Sequence, residues 1–193
     1  MGISVIVVDM LNDFVTGVLK CERASRIIPN IQRLLDFARK KKIPVIYVSD
    51  AHQPGVDEEF ELWPPHAIVG TKGAETIEEL KPVEGDYTLQ KRKYSAFYET
   101  GLDSLLKKLN VDTVVLVGLV TNVCIQHTAA DAFFRGYRII VPEDCVEAIT
   151  EETQKTAIKY LKVNYGSEIT NVQELMKSIS LRGETHASVP LRK

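Results

Sequence analysis

The sequence predicts an α/β protein, a three-layer α/β/α sandwich around a mainly parallel, doubly wound sheet of about six strands. Apolar runs rich in valine and isoleucine at 5–8, 45–48, 114–117 and 139–141 read as strands of a parallel sheet. Segments between them repeat apolar residues at helical spacing, which is the signature of βαβ units. Together with a further strand at 87–89, these runs end on reactive side chains or lead into them, in chain order Asp9, Asp50, Lys91, the turn to Cys124, and Asp144. In an open α/β sheet the strand C-termini share one edge, and ligands bind in the crevice there, so these remote residues should converge.

Each element follows in order. A first strand covers 3–9, and Ile27, Ile28, Ile31, Leu34, Leu35 and Ala38 then share one helical face. A second strand covers 43–50. Residues 51–84 show no clear periodicity and hold His52, Pro54, Gly55, Trp63, Pro64, Pro65, His66, Gly70 and Gly73. So long a loop inside a compact domain predicts a functional segment. A strand at 87–89 delivers Lys91; residues 99–109 form a helix with Leu102, Leu105, Leu106 and Leu109 inward, and 114–118 forms the next strand. A helix at 124–135 ends at Gly136, a C-terminal cap. A strand at 137–141, a helix at 151–163, an edge strand at 168–170 and a helix at 172–179 complete the pattern. Residues 1–180 are expected to form one domain, followed by a polar tail at 181–193, without repeats or linkers.

Composition excludes several classes. The 193 residues, 45% hydrophobic and 26% charged, suit a single globular core. A net charge of −2 gives no field that attracts a polyanion, so no nucleic-acid partner is expected. The basic run at 39–42 falls at the end of a predicted helix, where it complements the dipole. Cys21, Cys124 and Cys145 make an odd count without paired spacing, which argues against a disulfide framework and for a reducing compartment. The chain starts directly with a strand and has no apolar run of spanning length, so a cytoplasmic protein with no membrane partner is expected.

Cys124 follows a strand after the turn Gly118-Leu119-Val120-Thr121-Asn122-Val123 and lies near a helix start. There the dipole and free N–H groups would lower a thiol's pKa and could hold an oxyanion. The competing reading is a small buried hydrophobe. Asp9 ends an apolar strand, where a buried carboxylate must be paired, metal-bound or catalytic. Lys91 could supply the neighbouring cation, or be a solvated edge lysine beside Arg92 and Lys93. Asp50 and His52 point to the same side of an extended chain, and His66 could close a site around Zn²⁺, Fe²⁺ or Mn²⁺. An Asp-x-His pair and a loop histidine also arise by chance. His127, one turn past Cys124, predicts a structural hydrogen bond, and Asp144 a cap or brace.

Asp9 with Asn12-Asp13-Phe14, Lys91 with Tyr94-Ser95-Ala96-Phe97, and the turn 118–124 ending in Cys124 resemble the isochorismatase-like cysteine hydrolases. Asp50-Ala51-His52, Trp63-Pro64-Pro65-His66 and Gly70-Thr71-Lys72-Gly73-Ala74 are similar to the nicotinamidase/pyrazinamidase branch. The resemblance implies Asp9 as general base, Lys91 as electrostatic partner and Cys124 as nucleophile. It also implies Asp50, His52 and His66 as ligands of one divalent metal ion, zinc above iron or manganese. Phe14, Trp63 and Val120 become pocket walls, though aromatic residues equally fill cores. The backbone N–H groups of Val120 and Cys124 become the oxyanion hole, beside a cis peptide at Leu119–Val120. The implied reaction converts nicotinamide to nicotinate and ammonia through a thioester, in a homo-oligomer. Only Arg92 and Lys93 separate Lys91 from the Tyr94 motif, and Val120 stands where nicotinamidases usually carry alanine. These departures keep an N-carbamoylsarcosine-type or ureido amidohydrolase as the alternative. A non-catalytic small-ligand protein on this fold would be expected to have lost Asp9, Lys91 or Cys124. No Gly-x-Gly-x-x-Gly turn follows the first strand, which argues against a dinucleotide-binding oxidoreductase.

Overall fold

A computed structural model describes residues 2–187. Its strands are β1 (Gly2–Val8), β2 (Val45–Asp50), β3 (Tyr87–Lys91), β4 (Val111–Leu119), β5 (Arg138–Pro142), β6 (Val146–Glu147) and β7 (Glu168–Thr170). They form one sheet in the order β3-β2-β1-β4-β5-β7, with β6 pairing beside β4. Every pairing between these strands is parallel. The strand absent from the sequence reading is β6, two residues long and too short to carry a periodic pattern.

Side chains of a strand alternate between faces, so an apolar run serves two cores at once. Val5 and Val7 of β1 join Val45, Tyr47, Val115 and Val117 on one face. That face is covered by α2 (Ile28–Lys40), through Ile31, Leu34, Leu35 and Ala38, and by Val172 and Leu175 of α6 (Val172–Ala187). Ile6 and Val8 join Ile46, Val48, Leu116 and Ile139 on the other face. There α3 (Leu102–Lys108), α4 (Gln126–Phe134) and α5 (Glu151–Tyr165) close the third layer. A one-turn helix, α1 (Asn12–Val15), follows β1 directly.

Several boundaries differ from the predicted ones for local reasons. The helix expected over 99–109 starts at Leu102, because Glu99 has a left-handed backbone (φ 52°) that a helix cannot contain. The helix expected to open at Cys124 begins at Gln126, after a π-helical turn over Thr121–Ile125. At α5, the Thr150 side chain accepts the Thr153 N–H and left-handed Gly166 ends the helix. The last helix runs past 179, to Ala187, because backbone hydrogen bonding does not need the apolar spacing from which its end was read. The tail expected at 181–193 therefore begins within a helix, and 188–193 lie outside the described residues. Asp144 accepts the Val172 N–H at 2.9 Å and so caps α6.

Gly118 lets the two site-bearing strands touch. It pairs with Val8 at a φ of 117°, and a Cβ built on it would lie 1.9 Å from the Val8 carbonyl oxygen. Gly118→Ala is expected to lower stability by about 2–5 kcal/mol, combining backbone strain with overpacking. Urea unfolding within ~0.5 kcal/mol of the parent would contradict this account.

Candidate active site

The order of β2, β1 and β4 makes the end of β1 the sheet's switch point, and the candidate residues meet there. Asp9 leaves β1 in a left-handed conformation (φ 52°) and is 1% exposed. Asp50 and Lys91 are the last residues of β2 and β3 and pair in register. Although β3 is an edge strand, the Lys91 side chain is fully buried, which removes the solvated-lysine reading. Its ammonium lies 2.8 Å from Asp9 Oδ2, 2.5 Å from Asp50 Oδ1 and 3.6 Å from Cys124 Sγ. The Asp50 N–H donates to Asp9 Oδ1 at 2.8 Å. Carboxylate oxygens of Asp9 and Asp50 and the Cys124 sulfur lie within 4.8 Å of one another.

Burial sets the charge states. It pushes Asp9 up to about 6, helped by Asp50 and opposed by Lys91. Burial works against the charges of Asp50 and Lys91 as well, yet mutual attraction prevails: Lys91 and His52 hold Asp50 below the usual carboxylate range, and Asp50 and Asp9 hold Lys91 well above its own. For Cys124 the expectation from helix position is reversed. Burial drives its thiol well above the ordinary value, further than Lys91 can lower it, so the resting group is a neutral thiol. The π-helical turn holds this cysteine inside the packed layer, where loss of water outweighs the dipole.

The second cluster adjoins the first through Asp50. Donor atoms of Asp50, His52 and His66 come within 4.8 Å of one another, and all three residues are buried. His66 Nδ1 faces the Pro64 carbonyl oxygen at 2.8 Å, an acceptor, which leaves Nε2 free to accept. Both ring nitrogens of His52 are buried without a hydrogen-bond partner, and Nε2 lies 3.7 Å from Asp50 Oδ2. Two imidazoles, a carboxylate and an orphaned buried nitrogen fit a divalent ion. Asp50 was legible only as a ligand; its second oxygen, held by Lys91, is a tertiary finding. Glu59 also went unnoticed, although its carboxylate lies 3.7 Å from His66 Nε2 and burial raises its pKa. Nothing in sequence separates it from Glu58 and Glu61 in the same acidic loop.

Both clusters open into one cavity of about 380 Å³, within the size range of small-molecule sites. Asp9, Asp50, His66 and Cys124 line it, with Phe14, Trp63 and Val120 as walls. Phe14 and Val120 also pack on the core. Trp63 is 39% exposed, and its indole N–H donates to the Tyr94 hydroxyl across the rim at 3.1 Å. The Leu119–Val120 peptide is cis. His127 Nδ1 bonds the Val123 carbonyl at 2.7 Å, one turn back, as a structural histidine does. Cys21, Cys124 and Cys145 are all free, and among the described residues no helix is long and apolar enough to cross a membrane.

A doubly wound sheet that gathers a carboxylate, an ammonium and a thiol at its switch point, open to a small cavity, defines an α/β protein of hydrolase type. The chain belongs to the isochorismatase family, whose Isochorismatase domain matches residues 4–174. Among solved structures, it is 40% identical to N-carbamoylsarcosine amidase from Thermoplasma acidophilum, with a TM-score of 0.84 and coverage of 89% of this chain and 97% of that one. It is 30% identical to nicotinamidase/pyrazinamidase PncA from Bacillus subtilis (TM-score 0.85; 89% and 100% covered). It is 27% identical to the pyrazinamidase of Pyrococcus horikoshii in complex with zinc (TM-score 0.82; 89% and 99% covered).

Proposed function

We propose that this protein is an amidohydrolase that converts nicotinamide to nicotinate and ammonia through a thioester on Cys124. One observation carries the reading: Asp9 and Cys124 of the thiol cluster and Asp50 and His66 of the histidine cluster line one cavity, with Lys91 and His52 buried behind them. Asp9 is the general base. With Cys124 held as a thiol and Asp9 titrating near 6, the carboxylate is ionised at neutral pH and takes the sulfur's proton as attack begins. The C–S bond forms as the carbonyl π pair moves onto oxygen, where N–H groups of Val120 and Cys124 receive it. The oxyanion re-forms the carbonyl, the C–N bond breaks, and Asp9 returns its proton to the leaving ammonia. Water then attacks the thioester with Asp9 again as base, releasing the acid and the thiol. Lys91 stays protonated throughout and balances the two carboxylates.

A divalent ion held by Asp50, His52 and His66, zinc above iron or manganese, would supply a Lewis-acid contact for the substrate's ring nitrogen or for water. Phe14 and Trp63 would flank the ring. A homo-oligomer belongs to the same proposal, and the exposure of Phe134 (73%) and Val163 (71%) supports it.

Higher identity to the carbamoylsarcosine amidase, and the short Arg92-Lys93 spacing, favour a second reading as an N-carbamoyl or ureido amidohydrolase. The test is ammonia release from nicotinamide and from N-carbamoylsarcosine, before and after chelation. Nicotinamide turnover that falls at least ~10-fold on chelation and returns with Zn²⁺ is the expected result. Turnover of the carbamoyl substrate alone, indifferent to chelation, would replace the first reading with the second.

A further inference from the structure

We propose that Asp57, clamped by Arg92, is the positioning residue that presents His52 to a divalent metal ion. The inference rests on the metal reading above and adds a part that the ligand set does not contain. Asp57 lies in the loop between β2 and β3, and its side chain is 1% exposed. Its Oδ1 accepts a hydrogen bond from Arg92 Nε at 2.8 Å and is ion-paired with Nη2 of the same guanidinium at 2.7 Å. Its Oδ2 accepts the Gln53 N–H at 2.7 Å and faces His52 Nδ1 at 3.5 Å.

The consequence is a choice of tautomer. Both ring edges face carboxylates, Nδ1 toward Asp57 and Nε2 toward Asp50, and a carboxylate only accepts. A divalent ion that takes Nε2 together with Asp50 displaces the proton there, and the one ring proton that remains sits on Nδ1, toward Asp57. Arg92 and the Gln53 amide hold the Asp57 carboxylate in this orientation against the imidazole. A carboxylate that orients a ligating histidine in this way typically adds ~10–100-fold to metal affinity. Asp57 does not line the cavity, so it acts through His52 rather than on substrate. Lys91 serves the thiol cluster and Arg92 the histidine cluster, so adjacent residues at the end of β3 hold both halves of the site.

An asparagine cannot replace Asp57. If its oxygen faces Arg92, its amide N–H group opposes the Gln53 N–H and stabilises the wrong His52 tautomer; if reversed, that group opposes the guanidinium. Zn²⁺ affinity of the full-length metal-free protein should be measured by competition with a chromophoric chelator, for the parent, Asp57→Asn, Arg92→Gln and His52→Ala. Thermal unfolding of each metal-free protein serves as the structural control. The expected result is affinity reduced ~10–100-fold in Asp57→Asn, less in Arg92→Gln, and most in His52→Ala. Parent-like affinity in Asp57→Asn with weak binding in His52→Ala would overturn this inference alone. Parent-like affinity in His52→Ala would overturn the metal reading itself. Should Asp57→Asn fail to fold, Arg92→Gln decides: unchanged affinity there overturns the clamp.

Discussion

Cys124→Ala is expected to abolish amide hydrolysis, by a factor on the order of 10⁴ or more, while leaving the fold intact. The substitution removes one buried sulfur whose polar neighbour, Lys91, keeps its contacts to Asp9 and Asp50. Stability should change by no more than about 1 kcal/mol, so lost turnover reports chemistry rather than unfolding. Ammonia release, paired with thermal melts, measures both. Hydroxylamine added to the parent should divert the thioester to a hydroxamate, and the alanine variant should give none. Undiminished turnover in Cys124→Ala would end the thioester mechanism, whichever amide proves to be the substrate.

Lys91→Met should damage stability and activity together. Methionine fills a comparable volume, but Asp9 and Asp50 would then share a buried space without their cation. Removing one partner of a buried ionic network typically costs 3–5 kcal/mol, of order a third of a domain's total stability. Asp9 is already raised to about 6 with Lys91 beside it, and without the ammonium it would hold a proton at neutral pH. A protonated carboxyl cannot serve as base, so turnover should fall ~10²–10⁴-fold even where the variant remains folded. Urea unfolding with parallel assays checks the pair of effects. A variant with parent-like stability would mean that the carboxylates find another partner, and the network described here would be wrong.

How much of this was legible in the sequence varies residue by residue. The runs at 5–8 and 114–117 announce strands because a two-faced parallel strand has no polar side. Asp9, Lys91 and Cys124 could be singled out because each ends or follows such a run, and strand ends in this topology share an edge. His52 and His66 could be paired only as a possibility, since a loop of this length encodes no geometry by itself.

Local pattern determined the class of fold, the position of the crevice and the cast of reactive groups, because side-chain periodicity and strand polarity are properties of short segments. Tertiary structure alone decided the protonation of Cys124, the sharing of Asp50 between Lys91 and His52, and the placement of Glu59 and Asp57 beside the imidazoles. Those features depend on how completely water is excluded and on which distant charges lie within a few ångströms. Both are set by packing between segments tens of residues apart, and no window of sequence contains them.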